Sequence, residues 1–147
     1  MTVLIQPMTI EAYEPVVSLW RSADGVGLSQ SDTREAISIF LDRNPGLSFV
    51  ARDDGTLIGA VLCGHDGRRG YIHHLAVAEA HRRRGVGRAL VEQSLSALSQ
   101  AGIDKCHLFV FNNNKVGQRF WQGSGWTERV ELIVYSIERK PGYDFPG

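Results

Sequence analysis

The sequence has little cysteine and no net charge. Only two of its 147 residues are cysteines, Cys63 and Cys106, and they form no CxxC unit. A disulfide framework or a cysteine-ligated metal site is therefore not expected. The 16 basic and 16 acidic side chains cancel. This balance argues against a nucleic-acid binder or a membrane-surface binder, because both classes usually carry a strong basic excess.

Long hydrophobic runs are also absent. The longest apolar stretch, residues 57–63, is far shorter than the ~20 residues that a membrane-spanning helix needs. No basic residue precedes Arg21, so a secretory signal peptide is not expected. We therefore expect a cytoplasmic protein with both thiols reduced.

What the sequence does contain is typical of a folded domain. Hydrophobic residues make up 43% of the chain and charged residues 22%, which is the balance of a globular protein rather than of a disordered one. We expect residues 1–147 to form a single domain, with residues 141–147 as a frayed tail.

Hydrophobic periodicity predicts a mixed α/β fold around one central sheet, with the element order β-α-α-β-β-β-α-β-α-β. Two polar turns separate three consecutive strands, so an antiparallel meander is expected in the middle of the chain. The predicted strands are residues 3–5, 47–52, 57–63, 71–77, 106–111 and 132–137. The predicted helices begin near Thr9, at Ser31 or Asp32, near Val86 and at Lys115.

A basic, glycine-containing turn precedes the third predicted helix. Arg82, Gly85 and Gly87 stand at i, i+3 and i+5. The first turn of a helix offers unpaired N–H groups and the positive end of the helix dipole, and glycines let an anion approach the backbone. The turn is therefore either a phosphate site or a solvated basic turn. It is neither a Walker loop, which needs Gly-Lys-Ser/Thr, nor a dinucleotide fingerprint, which needs a small residue at Leu90.

A second motif lies downstream and favours the phosphate site. Its residues are Val110, Asn114, Gly117, Trp121, Gly125 and Trp126. Together with Leu75-Ala76-Val77 and the basic turn, it resembles the GNAT acetyltransferase superfamily. The resemblance covers nearly the whole chain, since the element order and the length also match, and small stand-alone bacterial members are the most similar in type.

The resemblance implies a fold, an activity and a co-substrate. The implied fold is a GNAT-like, mostly antiparallel sheet with a splay that holds acyl-CoA. The implied activity is transfer of an acetyl group from acetyl-CoA to a primary amine, by direct attack in a ternary complex and without a metal. The alternative is a non-catalytic acyl-CoA-binding module that acts as a sensor or partner domain.

The resemblance also assigns residues to acetyl-CoA. Backbone N–H groups of the basic turn would hold the pyrophosphate, and the end of the preceding strand would pair with the pantetheine arm. The Val77 N–H would lie near the thioester carbonyl and stabilise the oxyanion. The co-substrate residues implied in this way are Leu75, Ala76, Val77, Arg82, Arg83, Arg84, Gly85, Val86, Gly87, Arg88, Asn114 and Trp121.

Trp121 departs from the family pattern. It replaces the tyrosine that often protonates the departing thiolate, and an indole N–H does not give up its proton. The general acid is therefore absent or lies elsewhere, at Tyr135 or a water molecule. A thiol with a pKa near ~8.5 is already a competent leaving group.

The strand before the basic turn carries the candidate catalytic residues. Family members place acidic or histidine residues at the positions of Tyr71 and His73, where they act on the amine. We favour His73 as the base or proton relay, because the pKa of histidine lies near neutrality; His74 is the alternative. Strict alternation predicts that the two histidines face opposite ways, which disfavours a shared metal.

The acceptor is expected to be a small-molecule or peptide amine. Trp20 and Asp24 correspond to the family's acceptor-side loop, although Asp24 could also be an ordinary loop aspartate. Residues 1–66 carry 4 basic and 9 acidic side chains, and residues 67–147 carry 12 and 7. The acidic part suits a cationic amine and the basic part suits the phosphates of coenzyme A. The pattern leaves the oligomeric state open, although homodimers are common among such proteins.

Overall fold

The computed structural model describes residues 2–139 and contains a mixed α/β fold, as predicted. The strands are β1 (Val3–Pro7), β2 (Phe49–Asp53), β3 (Thr56–His65), β4 (Gly70–Val77) and β5 (Cys106–Leu108). The helices are α1 (Tyr13–Ser22), α2 (Arg34–Arg43), α3 (Val86–Gln100) and α4 (Lys115–Gly123), with short 3₁₀ turns at Ile10–Ala12, Gln30–Asp32 and Glu79–His81.

The five strands form one sheet in their order along the chain. The pairs β1–β2, β2–β3 and β3–β4 are antiparallel. The pair β4–β5 is parallel and extends over only three residue pairs. The predicted meander is therefore confirmed, and the sheet is mostly antiparallel.

Helices cover both faces of the sheet and create two apolar clusters. On one face α1 and α2 pack against the strands around Trp20, which has no exposed surface. On the other face α3 packs around Leu90, which is also fully buried. Gly59 of β3 permits this contact, because a Cβ there would lie 2.9 Å from Leu90 Cδ1. The sheet is packed on both faces by these clusters, and this packing positions β4 and β5 at its edge.

Local capping sets where α2 begins. The Thr33 hydroxyl accepts a hydrogen bond from the Ala36 N–H at 3.2 Å, so the helix begins at Arg34 rather than at Ser31 or Asp32. Those two residues belong to the preceding 3₁₀ turn, Gln30–Asp32, at whose start Ser29 and Asp32 form a reciprocal capping box.

The prediction of a final strand at residues 132–137 is wrong for this structure. These residues have no strand partner in the described part of the chain, and β5 ends at Leu108 rather than at residue 111. A contiguous run of β-branched and aromatic residues is a local signal, whereas a strand also needs backbone pairing with another strand, which depends on the tertiary structure. The expected frayed tail, residues 141–147, lies outside the described residues.

Within residues 2–139, no helix combines the length and the apolar character needed to span a membrane.

Leu90→Ala should lower the free energy of unfolding by about 2–5 kcal/mol, because it leaves a cavity between α3 and β3. Urea denaturation monitored by circular dichroism measures this change. Gln93→Ala, at an exposed position of the same helix, is the matched control and should stay within about 0.5 kcal/mol of the parent. Equal effects of the two substitutions would contradict this packing.

Candidate active site

A cleft opens where β4 and β5 part. The two strands pair only as far as Ile72 and Leu108. Beyond that point, His73 and the rest of β4 line one wall and Phe109 lines the other, around a volume of about 730 Å³. All of the residues predicted to contact acetyl-CoA line this cleft except Arg84.

The backbone of β4 faces the cleft with hydrogen-bonding groups. Ala78 donates its N–H to the Ile58 carbonyl of β3 at 2.7 Å, and Val77 stands opposite Gly59. Because successive residues of an antiparallel strand point their N–H groups to alternate sides, the Val77 N–H points away from β3 and toward the cleft. The Val77 carbonyl accepts a 3.0 Å hydrogen bond from Arg82 Nε, which ties the strand end to the basic turn.

The basic turn leads into the open N-terminus of α3. Gly85 is the N-cap and adopts a left-handed conformation with φ of 82°, and the first turn of the helix contains no acidic residue. A Cβ at Gly85 would meet no atom within 4 Å. The helix end therefore has room for a phosphate, and no acidic side chain offsets the positive end of its dipole. Two cations, Arg82 and Arg83, line the same cleft. These features fit the pyrophosphate of acetyl-CoA.

Arg88 and Asn114 hold the walls together as well as lining them. The Arg88 Nη2 donates to the Gly123 carbonyl at 2.8 Å, which joins the start of α3 to the end of α4. The Asn114 Oδ1 caps α4 by accepting the Gly117 N–H at 3.0 Å. The loop between α1 and α2 lies against Asn114. Gly25 of this loop is so close that a Cβ there would lie 2.4 Å from Asn114 Nδ2.

A bulge in β4 changes the direction of its side chains. Leu62 pairs with His74, but the next residue, Cys63, pairs with Ile72, so His73 is an extra residue on β4. Ile72 packs in the cluster under α3, whereas Ala76 packs in the cluster under α1 and α2. Strict alternation would have placed those two on the same face.

Both histidines consequently lie on the side of α1 and α2. The His73 ring meets the Phe40 ring of α2 at 5.5 Å, and the His74 ring meets the Trp20 ring of α1 at 4.8 Å. The prediction that His73 and His74 face opposite ways is therefore wrong, and the bulge is the reason. In residues 2–139, no group of three or more ligating side chains forms a metal site.

An aspartate holds His74 in place. The His74 Nε2 lies 2.8 Å from the Asp32 Oδ1, and both side chains are nearly buried. The second Asp32 oxygen, Oδ2, accepts the Ser29 N–H at 3.0 Å. Asp32 thus fixes both the loop before α2 and the imidazole of His74. Sequence reasoning missed this pair, because 42 positions separate the two residues and no local pattern links them.

His73 lines the cleft and makes no comparable ion pair. Burial lowers the pKa of His73, as does the charge that His74 would carry, and the Asp32 carboxylate acts in the opposite direction. The neutral imidazole is therefore favoured. The Tyr71 ring stacks on His73 with a 6.2 Å centroid separation, but Tyr71 itself does not line the cleft. Its catalytic role therefore stays a prediction, and the contact that the structure shows is the one with the His73 ring.

The acceptor-side loop reaches the cleft through Asp24 but not through Trp20. Asp24 lines the cleft, as the prediction requires. Trp20 has no exposed surface, so the prediction that it contacts the acceptor is corrected. It is a core residue because the amphipathic helix α1 turns it toward the sheet, where it packs on His74.

Two further contributions to the cleft were not predicted. His81 lines it and bonds through Nε2 to the Asp53 carboxylate at 2.9 Å, which anchors the basic turn to the β2–β3 hairpin. Phe109 and Phe120 supply apolar wall. Phe120 also packs edge-on against Trp121. The helical spacing of residues 116, 117, 120 and 121 is a signal that could have identified the wall formed by α4.

Comparisons with known proteins agree with this geometry. A family model described as "Acetyltransferase (GNAT) family" matches residues 13–126. An acetyltransferase of Pectobacterium atrosepticum is 33% identical over 102 residues, which cover 69% of this chain and 72% of the relative. The N-alpha-acetyltransferase 30 of Schizosaccharomyces pombe is 29% identical over 115 residues, covering 75% and 77%.

A solved structure supports the fold. The PaiA N-acetyltransferase of Thermoplasma acidophilum, solved in complex with coenzyme A, superposes with a TM-score of 0.73 at 20% sequence identity. The match covers 84% of this chain and 88% of that one.

Gly85→Asn should weaken acetyl-CoA binding by about tenfold, or about 1.4 kcal/mol, because the new side chain fills the space over the N-terminus of α3. Asparagine tolerates the left-handed conformation, so the fold should survive. Isothermal titration calorimetry measures the affinity, and thermal unfolding reports the fold.

Gly102→Asn is the matched control for that substitution. Gly102 has φ of 85° and equally open surroundings, but it follows the other end of α3, away from the cleft. It should show the same thermal stability and unchanged affinity. Unchanged affinity in Gly85→Asn as well would overturn the assignment of the turn to the phosphates.

Proposed function

The chain belongs to the acetyltransferase (GNAT) family and is an acetyl-CoA-dependent N-acetyltransferase, and from this premise we propose that its acceptor is an α-amino group, as at the N-terminus of a peptide. The observation that carries the proposal is the position of His73, which the bulge turns into the cleft with a pKa below the ordinary value.

The proposed mechanism uses direct transfer in a ternary complex. Acetyl-CoA supplies the activated acetyl group when bound. The open N-terminus of α3 and the arginines of the basic turn hold the phosphates, and the N–H groups of β4 that point into the cleft bind the extended arm. Asp24 attracts the cationic ammonium group, and His73 accepts one proton from it. The neutral amine then attacks the thioester carbonyl, the C–S bond breaks with the thiolate as leaving group, and water takes the second proton from the acylated nitrogen. Tyr71 and Phe40 keep the His73 ring in position.

Proton arithmetic favours an α-amine over a lysine side chain. Even at the ordinary histidine pKa of ~6.5, transfer from an α-ammonium with a pKa of ~7.7–8.0 costs about 2 kcal/mol, whereas transfer from a lysine with a pKa of ~10.4 costs about 5 kcal/mol. Lowering the pKa of His73 increases both costs. A weak base therefore suits the more acidic ammonium group. The similarity to an N-alpha-acetyltransferase points the same way.

The cysteines support transfer without a covalent enzyme intermediate. Burial raises the pKa of the Cys63 thiol to about 12 and that of the Cys106 thiol to about 11, so neither is a ready nucleophile. Neither lines the cleft. We place the enzyme in the cytoplasm as part of this proposal, because the two thiols are free.

Trp121 fits a mechanism with no dedicated acid. It lines the cleft and packs against Phe120 and Trp126, so it serves as wall. The departing thiolate is stable enough near neutral pH to leave without protonation, since a thiol pKa is ~8.5. The predicted alternative, a non-catalytic acyl-CoA sensor, gains no support from the relatives, which include named acetyltransferases.

The acceptor proposal predicts a clear preference between two matched peptides. One peptide has a free N-terminus and no lysine. The other has a formylated N-terminus and differs in sequence only by one internal residue, which is replaced by lysine. Release of the coenzyme A thiol, followed with a thiol reagent, should give kcat/KM about 100-fold higher for the first peptide, from the difference of about 3 kcal/mol in proton cost. Equal or faster acetylation of the lysine peptide would overturn the choice of an α-amine.

His73→Gln should lower kcat/KM for the free-N-terminus peptide by about 10²–10⁴-fold. In the parent enzyme, activity should fall as the pH drops through the lowered pKa of His73, because the protonated ring cannot accept a proton. That acidic limb should therefore lie below pH ~6.5 and should be missing in the variant. His65→Gln, at the end of β3 and outside the cleft, is the control. A retained limb in His73→Gln would exclude His73 as the base.

A further inference from the structure

The loop between α1 and α2, residues 23–29, extends across the cleft. Its first four residues line the cleft. Its middle touches the wall that follows β5: Gly25 lies against the Asn114 amide, and a Cβ at Gly27 would lie 3.1 Å from Phe111 Cζ. The loop forms no helix or strand, so its position depends on the contacts at this wall and at its two ends.

Both ends of the loop meet at one side chain of the sheet, His74. Trp20, in the last turn of α1, packs on the imidazole with a centroid separation of 4.8 Å. Asp32, in the 3₁₀ turn that follows the loop, places its Oδ1 2.8 Å from the His74 Nε2. Trp20 has no exposed surface, and the His74 and Asp32 side chains are 12% and 6% exposed. The imidazole therefore joins the start and the end of the loop to β4, away from water.

Asp32 is hydrogen-bonded through both carboxylate oxygens and through its main-chain carbonyl. Oδ1 meets His74, Oδ2 accepts the Ser29 N–H at 3.0 Å, and the carbonyl accepts the Tyr13 hydroxyl at 2.7 Å. A buried carboxylate is costly unless it is paired and hydrogen-bonded. Removal of the imidazole would therefore leave the carboxylate uncompensated and would release the end of the loop.

The pair is placed to act on the acceptor side of the cleft. His74 follows His73 in β4, and the loop that the pair holds carries Asp24. These three side chains all line the cleft. Because the His74 Nε2 is already bonded to Asp32, that nitrogen is not available to a substrate, and His74 acts through the loop instead.

We propose that His74 and Asp32 are positioning residues for the acceptor: the imidazole holds both ends of the α1–α2 loop on β4 and thereby keeps Asp24 in the cleft that His73 lines. This inference rests on the proposed function, in which Asp24 attracts the ammonium group and His73 accepts its proton. The contacts that hold the loop lie outside the basic turn and α3, so the pair serves the acceptor and not acetyl-CoA.

Steady-state kinetics with the free-N-terminus peptide are the first test. His74→Ala removes both contacts to the loop, so KM for the peptide should rise about tenfold, whereas kcat and the affinity for acetyl-CoA should stay within about twofold of the parent. Asp32→Asn/His74→Ala also removes the unpaired carboxylate, so it should fold even where the single variant does not, and it should show the same rise in KM. An unchanged peptide KM, or an equal loss in kcat, in a folded variant would overturn the proposal.

His81→Ala is the matched control, because it removes the other His–Asp pair of the cleft. The His81 Nε2 lies 2.9 Å from the Asp53 Oδ2, and that pair anchors the basic turn rather than the α1–α2 loop. The variant should weaken acetyl-CoA binding and leave the peptide KM within about twofold of the parent. A rise in the peptide KM as large as that of His74→Ala would overturn the specific role of His74.

Amide hydrogen exchange on the free protein is the second test, and it separates this inference from the proposed function because it needs no acceptor. The Ser29 and Asp32 amides are hydrogen-bonded in the parent. In His74→Ala they should exchange about tenfold faster, while the amides of α3 keep their rates. Unchanged exchange at both amides would overturn the inference even if His73→Gln confirms the base. Faster exchange with a retained acidic limb in His73→Gln would support the attachment of the loop and contradict only the proposed function.

Discussion

β4 and β5 exchange hydrogen bonds over three residues and then separate, and the rest of the site depends on this separation. Backbone N–H and C=O groups need partners wherever water is excluded. When β5 leaves, the groups on the outer side of β4 from His73 to Val77 lose their neighbour and face a cleft instead. An extended ligand arm can then take the place of the missing strand. The same separation leaves β5 with only three residues, Cys106–Leu108.

The helix after β4 supplies the charge that the cleft needs. The N-terminus of α3 has glycine at its N-cap, arginines before it and no acidic residue in its first turn. It therefore lacks the side-chain contacts that usually stabilise the start of a helix. Aspartate or glutamate there would stabilise the helix. Their absence leaves the dipole and the N–H groups available to a phosphate ligand. This is the kind of compromise between stability and function that binding sites often show.

The bulge at His73 links the acceptor side to the donor side. It turns His73 to the side of α1 and α2, where His74 already lies. There Asp32 fixes the His74 imidazole and at the same time closes the turn before α2. The loop between those helices then rests on Asn114, which lines the donor cleft. The register shift therefore places both histidines on the side of the sheet that carries the acceptor loop.

The sequence by itself determined the class of fold, the antiparallel meander, α3 with its basic turn, and the family. Each of these depends on relations between residues close in the chain: alternation, helical spacing, and glycines next to a helix start. The tertiary structure decided which way His73 and His74 point, that Trp20 is core, that Asp32 holds His74, and that residues 132–137 find no strand partner within residues 2–139. Those outcomes depend on pairing between distant segments, and a one-residue shift in such a pairing reverses the direction of a side chain without leaving any local trace in the sequence.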